Sequence, residues 1–169
     1  MVTQPAGRTR RLVEKVITVP ENLRRACDEF NGGRYFECHE TLEEVWQEEQ
    51  GEVRNLYKGL IQVAAAFVHL RRANFIGAER LLRTGVGYLA PYREAGAMGF
   101  DVESACKAAE AGHAVLLRLG PARASEFNFE DAPVFTFEAD ALPAEARRWA
   151  AWGFDRLGAP LAMTITIAE

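Results

Sequence analysis

The sequence predicts an all-α protein: a single-domain bundle of five or six antiparallel helices, with short extended strips in its C-terminal tail. Three observations carry that expectation. Apolar residues recur at three- and four-residue spacing along successive stretches, which at about 3.6 residues per turn places them on one face of a helix. Glycine, proline or a short polar turn separates those stretches, so sequential helices fold back on one another. No internal repeat, low-complexity run or proline-rich linker divides the 169 residues, a length that suits one domain with its own core.

Residues 1–18 hold Arg8, Arg10, Arg11 and Lys15 with little periodicity and are expected to form a flexible basic arm. Residues 19–120 are the expected bundle core. Its first helix opens near Pro20, a favourable first-turn residue, and runs to about Asn31 with Leu23, Cys27 and Phe30 as its buried stripe. Gly32 and Gly33 supply a stop and a tight reversal. The second helix then carries Tyr35, Phe36, Cys38, Leu42, Val45 and Trp46 in one arc, with Glu37, Thr41, Glu44 and Glu48 roughly opposite, and Gly51 closes it. Phe36 and Trp46 are expected as core anchors, and Cys38 as a small buried hydrophobe.

The third helix, Val53 to Ala73, is the most apolar, with no formal charge from Gly59 through Leu70. Leu56, Leu60, Val63, Phe67 and Leu70 form its stripe. Its opposite surface holds Gly59, Ala65, Ala66 and Ala73, small enough for another helix to come close, and among them stand Gln62 and His69. A fourth helix spans about Gly77 to Leu89, preceded by Asn74 as a capping or turning residue and stopped by Pro91. A fifth runs from Asp101, its N-cap, to about Leu119, and Gly120 and Pro121 end it.

Residues 121–169 are expected as an extension packed on the same domain. Phe127 and Phe129, Phe135 and Phe137, and Ile165 and Ile167 alternate with polar residues, a pattern compatible with short strands. Between them Pro143 to about Leu157 reads as a sixth helix anchored by Trp149. This tail either covers the bundle or makes a homo-oligomer contact.

Hydrophobic residues at 49% and charged residues at 26% are ordinary for a soluble globular chain. A formal net charge of −4 provides no general attraction to nucleic acid or to an anionic membrane surface. Cys27, Cys38 and Cys106 lack CxxC spacing and make no even set, so neither a disulfide framework nor a cysteine zinc site is expected, and the cytoplasm is the expected compartment. The run from Gly59 to Leu70 falls short of the roughly 20 residues a membrane span needs. Neither a phosphate-binding glycine loop nor a nucleophile elbow is present, which counts against nucleotide hydrolysis and serine-type catalysis.

The chemistry-bearing residues concentrate in the second and third helices. His39 and Glu43, four apart, stack one turn above the other at the edge of the buried arc, with Glu40 just beyond. Pairing the two helices would bring this pair toward His69 or Gln62, according to how each helix is rotated. Arg54 and Arg72 are candidate salt-bridge partners for Glu40 or Glu43, or holders of an anionic ligand.

The run Phe-Asn-x-Gly-x-Tyr-Phe-Glu-x-His-Glu-x-Leu-Glu-x-x-Trp at Phe30 to Trp46 is long and specific. It is followed by Arg54-x-Leu56-Tyr57-x-Gly59-Leu60-Ile61-Gln62-x-Ala64-Ala65-Ala66 and by Asn74-x-x-Gly77-Ala78. Together these resemble the prokaryotic domain of unknown function family 309, over Phe30 to about Leu89. The resemblance implies an all-helical fold and a metal-dependent hydrolase activity. It also implies a polar signature that falls on Glu37, His39, Glu40, Glu43, Gln62, His69 and Asn74.

That cluster has two readings. In the first, His39, Glu43, Gln62 and His69 satisfy one another as a structural hydrogen-bond network, or line a site for a small-molecule ligand, because a buried carboxylate must be paired. In the alternative, His39, Glu43 and His69 ligate a divalent metal such as zinc, iron or manganese, whose bound water is activated with Glu40 as base. The spacing departs from the two common helical metal motifs. Glu43 stands where His-Glu-x-x-His would require histidine, and neither His39 nor His69 follows a glutamate at the spacing of Glu-x-x-His.

Overall fold

The computed structural model describes residues 12–17, 21–94, 96–138 and 163–168. Five α-helices follow one another in the described chain: α1 Glu21–Asn31, α2 Tyr35–Glu48, α3 Arg54–Arg71, α4 Phe75–Leu89 and α5 Val102–Leu119. The expected helices are found with ends shifted by a residue or two, the normal fraying of helix termini. Two predicted caps are made: the Asn74 side chain accepts a hydrogen bond from Gly77 N, and Asp101 accepts one from Ser104 N, at 3.1 Å in each case.

Each helix packs on the next, and the contacts give the direction. Glu29 meets Thr41 and Asn22 meets Glu44 across α1 and α2, while Gln62 meets Thr84 and His69 meets Asn74 across α3 and the start of α4. One residue number rises as the other falls, so these neighbours are antiparallel. The α3–α4 approach depends on glycine. A methyl group on Gly59 would lie 2.7 Å from the Leu89 side chain and 3.0 Å from the Gly85 carbonyl oxygen, so the small-residue face of α3 is where α4 settles.

The core is continuous from α1 to the 121–138 region. Leu23, Phe30, Leu42, Leu56, Tyr57, Leu60, Phe67, Leu70, Leu82, Leu89, Met98 and Phe100 are its largest enclosed side chains. Burying a side chain of this size contributes about 1.5–3 kcal/mol. Arg93 ties the connection between α4 and α5 by binding Glu103 and Glu110, and the Glu103 contact raises the guanidinium pKa above its usual range while lowering that of the carboxyl.

Several expectations need correction. Residues 127–137 do not form strands among the described residues. Pro121–Glu126 and Phe129–Asp131 are 3-10 turns, and Phe137 makes an isolated bridge with Phe100. Four phenylalanines two apart look like a strand pattern, but here aromatic packing decides: Phe135 stacks on Phe30 at 3.8 Å between ring centroids, and Phe127 and Phe129 both set their edges against Phe67. Leu12–Ile17, expected within a loose arm, is instead a strand (β1) paired antiparallel with β2, Met163–Ala168, in the register Val13 to Ile167 and Lys15 to Ile165. The alternation at Ile165 and Ile167 did mark this strand. The expected sixth helix and Trp149, like residues 1–11 of the arm, lie outside the described residues.

No described helix is long and apolar enough to cross a membrane.

Candidate functional site

The polar signature is built into α2, α3 and the turn into α4, but not as one cluster. On α2, His39 Nε2 lies 3.4 Å from Glu43 Oε1, the pair expected from their four-residue spacing. The imidazole is largely buried and its Nδ1 atom is enclosed without a hydrogen-bond partner among the described residues, while Glu43 is 45% exposed at its side chain. Phe36, expected in the core, is instead 51% exposed and lies against the His39 ring. It shields imidazole rather than filling the bundle.

Gln62 and His69 face elsewhere. The Thr84 hydroxyl donates to Gln62 Oε1 at 2.6 Å, joining α3 to α4. His69 Nδ1 pairs with Asn74 Nδ2 at 2.9 Å, and the same asparagine caps α4 through Gly77. A Cβ on Gly77 would come within 2.9 Å of both partners, so the imidazole sits directly on the first turn of α4. The rotation of α3 thus turns its two polar residues toward α4. No hydrogen bond or ion pair among the described residues joins them to His39 or Glu43.

Arg54 stacks over Trp46 with its guanidinium carbon 3.9 Å from the ring centroid; it bridges the α2–α3 turn by cation–π contact rather than by pairing with Glu40 or Glu43. Glu37 and Glu40 are exposed and engage no partner among the described residues. Arg72 is also exposed. The structure does not bring His39, Glu43 and His69 into one group: among the described residues no set of three His, Cys, Asp or Glu side chains could hold a metal. The physical reason is the rotation of α3, which sets His69 on the first turn of α4 beside Asn74 and Gly77.

A buried carboxylate that periodicity did not single out lies between α1 and α2. Glu29 is 6% exposed, and Thr41, expected on the polar side, is 4% exposed. The Thr41 hydroxyl donates to Glu29 Oε1 at 2.9 Å, and Arg25 Nε closes on the same oxygen at 3.2 Å. Arg25 and Glu29 at i and i+4 were the available signal. What hid it was the assumption that a threonine among glutamates faces water.

The cysteines are enclosed as well. Burial pushes the Cys27 thiol up to about 12 and Cys106 to about 11, and Cys38 rises further with Glu29 close by. None has the depressed pKa of a nucleophilic thiolate.

The first part of the long motif shapes a cavity of about 420 Å3 where α1 turns into α2. Phe30, Tyr35 and Phe129 give it an aromatic wall, and Gly33, Arg71 and Glu130 complete the rim. The turn is held by Asn31, whose side chain donates to the Phe135 carbonyl and accepts from its amide, both at 2.8 Å. That pair of hydrogen bonds straps the 129–135 segment over the end of α1 and fixes the far wall.

Residues 23–81 match the family model described as Domain of unknown function (DUF309). Over 76 residues the chain is 45% identical to a protein of Bacillus subtilis (strain 168) described as "Uncharacterized protein YpuF", a stretch covering 43% of this chain and 44% of that relative. The chain thus spans less than half the length of the curated relative it matches. No solved structure matches the chain. The segment 23–81, which matches the DUF309 model, runs from α1 into α4 and holds every residue of the polar signature.

Proposed function

We propose that this protein is a small helical binding module in which Gln62, His69 and Asn74 act as struts between helices. The observation that supports this reading is that the polar groups with partners engage them separately, while Glu37 and Glu40 stand exposed. His39 pairs with Glu43 within α2, Gln62 takes the Thr84 hydroxyl, and His69 holds the Asn74 cap. Polar pairs of this kind set the rotation and register of packed helices, because a one-residue slip would bury each group without its partner. The three cysteines are free and enclosed, which suits a reducing compartment such as the cytoplasm. Self-association through residues beyond 138 belongs to the same proposal, and light scattering reads it directly.

Elemental analysis tests the strut reading. Protein purified without a metal-affinity tag and dialysed against zinc, iron or manganese should retain none of them stoichiometrically. Asn74→Ala should lower stability by about 1 kcal/mol through the lost α4 cap. Retention of one equivalent of metal, abolished by His39→Ala or His69→Ala, would instead establish the metal-dependent hydrolase reading.

A further inference from the structure

The cavity at the α1–α2 turn carries one cationic group on its rim. Arg71 is exposed, lies 4.5 Å from the Tyr35 ring centroid and 5.7 Å from that of Phe129, and forms no ion pair among the described residues. Arg25, Arg83, Arg93 and Arg123 each meet a carboxylate, whereas Arg71, like Arg24 and Arg54, is held against an aromatic ring. A guanidinium carries several N–H donors, and a cation beside aromatic rings on a cavity rim can offer two of them to a carboxylate.

Gly33 makes this arrangement possible. Its φ of +76° belongs to the left-handed region, and a Cβ there would lie 2.8 Å from Arg71 Nη2. The glycine of the motif thus serves the turn and also leaves room for the guanidinium. A volume of about 420 Å3 lies within the range of small-molecule sites, roughly 300–1,000 Å3.

We propose that this cavity binds a small monocarboxylate with a flat apolar body, an inference that rests on reading the chain as a binding module. The guanidinium receives the carboxylate through paired N–H donors, and the partly exposed Phe129 ring, with Ala132 and Val134 beside it on the rim, packs against the body. A multiply charged phosphate is disfavoured, because Arg71 is the one cationic side chain among the described residues lining the cavity and Glu130 on the same rim repels added negative charge.

Titration of 15N-labelled protein with benzoate tests the assignment, with benzyl alcohol, benzylamine and inorganic phosphate as comparison probes. Benzoate should shift the amide signals of Gly32, Gly33 and Tyr35 together with the Arg71 side-chain signal, and bind about tenfold more tightly than any comparison probe, as expected for a charge-assisted bidentate pair. Arg71→Gln, which gives up weak ring contacts at an exposed position, should stay folded with a slightly lower melting point and weaken benzoate about tenfold, while Glu130→Gln should strengthen it roughly twofold. Equal binding of benzoate and benzyl alcohol, tighter binding of phosphate, shifts confined to another face, or unchanged affinity in Arg71→Gln would each overturn the proposal. Metal content of the same samples reports separately on the strut reading.

Discussion

Thr41→Val removes one hydroxyl from the α1–α2 interface and keeps the shape of the side chain. In the native protein that hydroxyl donates to Glu29 Oε1 at 2.9 Å and lies 3.2 Å from Oε2, so the variant leaves an enclosed carboxylate with Arg25 as its remaining partner among the described residues. Hydrogen bonds to charged groups are worth roughly 1.5–3 kcal/mol, and the expected loss is about 2 kcal/mol because Arg25, itself largely exposed, still offers partial compensation. For a chain of this size that corresponds to a fall of about 4–8 °C in Tm. Urea unfolding followed by circular dichroism should show the midpoint lowered by about 1 M with an unchanged slope.

Two controls isolate the cause. Thr41→Ser retains the donor and should recover most of the lost stability. In a Glu29→Gln background Thr41→Val should cost at least ~0.5 kcal/mol less than it does in the native chain, since the two groups no longer share a charge-assisted bond. A Thr41→Val protein within about 0.5 kcal/mol of native stability would refute the argument. Serine being as harmful as valine would refute it equally.

The glycines of the bundle predict opposite signs for one substitution. Gly59→Ala forces a methyl onto Leu89 and the Gly85 carbonyl and should destabilise by roughly 1–3 kcal/mol, whereas Gly87→Ala, with nothing within 4 Å of the added atom, should stabilise α4 by about 0.5–1 kcal/mol. Chemical denaturation of both variants decides the matter, and equal effects would contradict the close approach of α3 and α4 at Gly59. The thiols provide a pH test. Burial raises the folded-state values of Cys106 and Cys27 from 9.0 to about 11 and about 12, so the folded protein keeps protons that the unfolded chain releases. Their contribution to stability is complete below pH 9.0 and should be lost as pH rises from there through about 12, while Cys27→Ala and Cys106→Ala variants should show a flatter decline. Alkylation by iodoacetamide at neutral pH should likewise require unfolding.

The sequence alone determined the helices, their order and most of their ends. That information is local: apolar spacing, glycine and proline breaks, and the Asn74 and Asp101 caps are each read within a few residues. It also marked the His39–Glu43 pair, whose geometry follows from a four-residue step, and the small-residue face of α3 that receives α4. The tertiary structure alone decided how each helix is rotated about its axis. A stripe with polar residues at its margin suits several rotations of nearly equal apolar burial, and the choice between them rests on partners far along the chain. Thr84 claims Gln62, the α4 cap claims His69, and Glu29 draws Thr41 inward. The bonds between Asn31 and Phe135, 104 residues apart, hold residues 129–134 as the wall of a cavity that no local pattern announces.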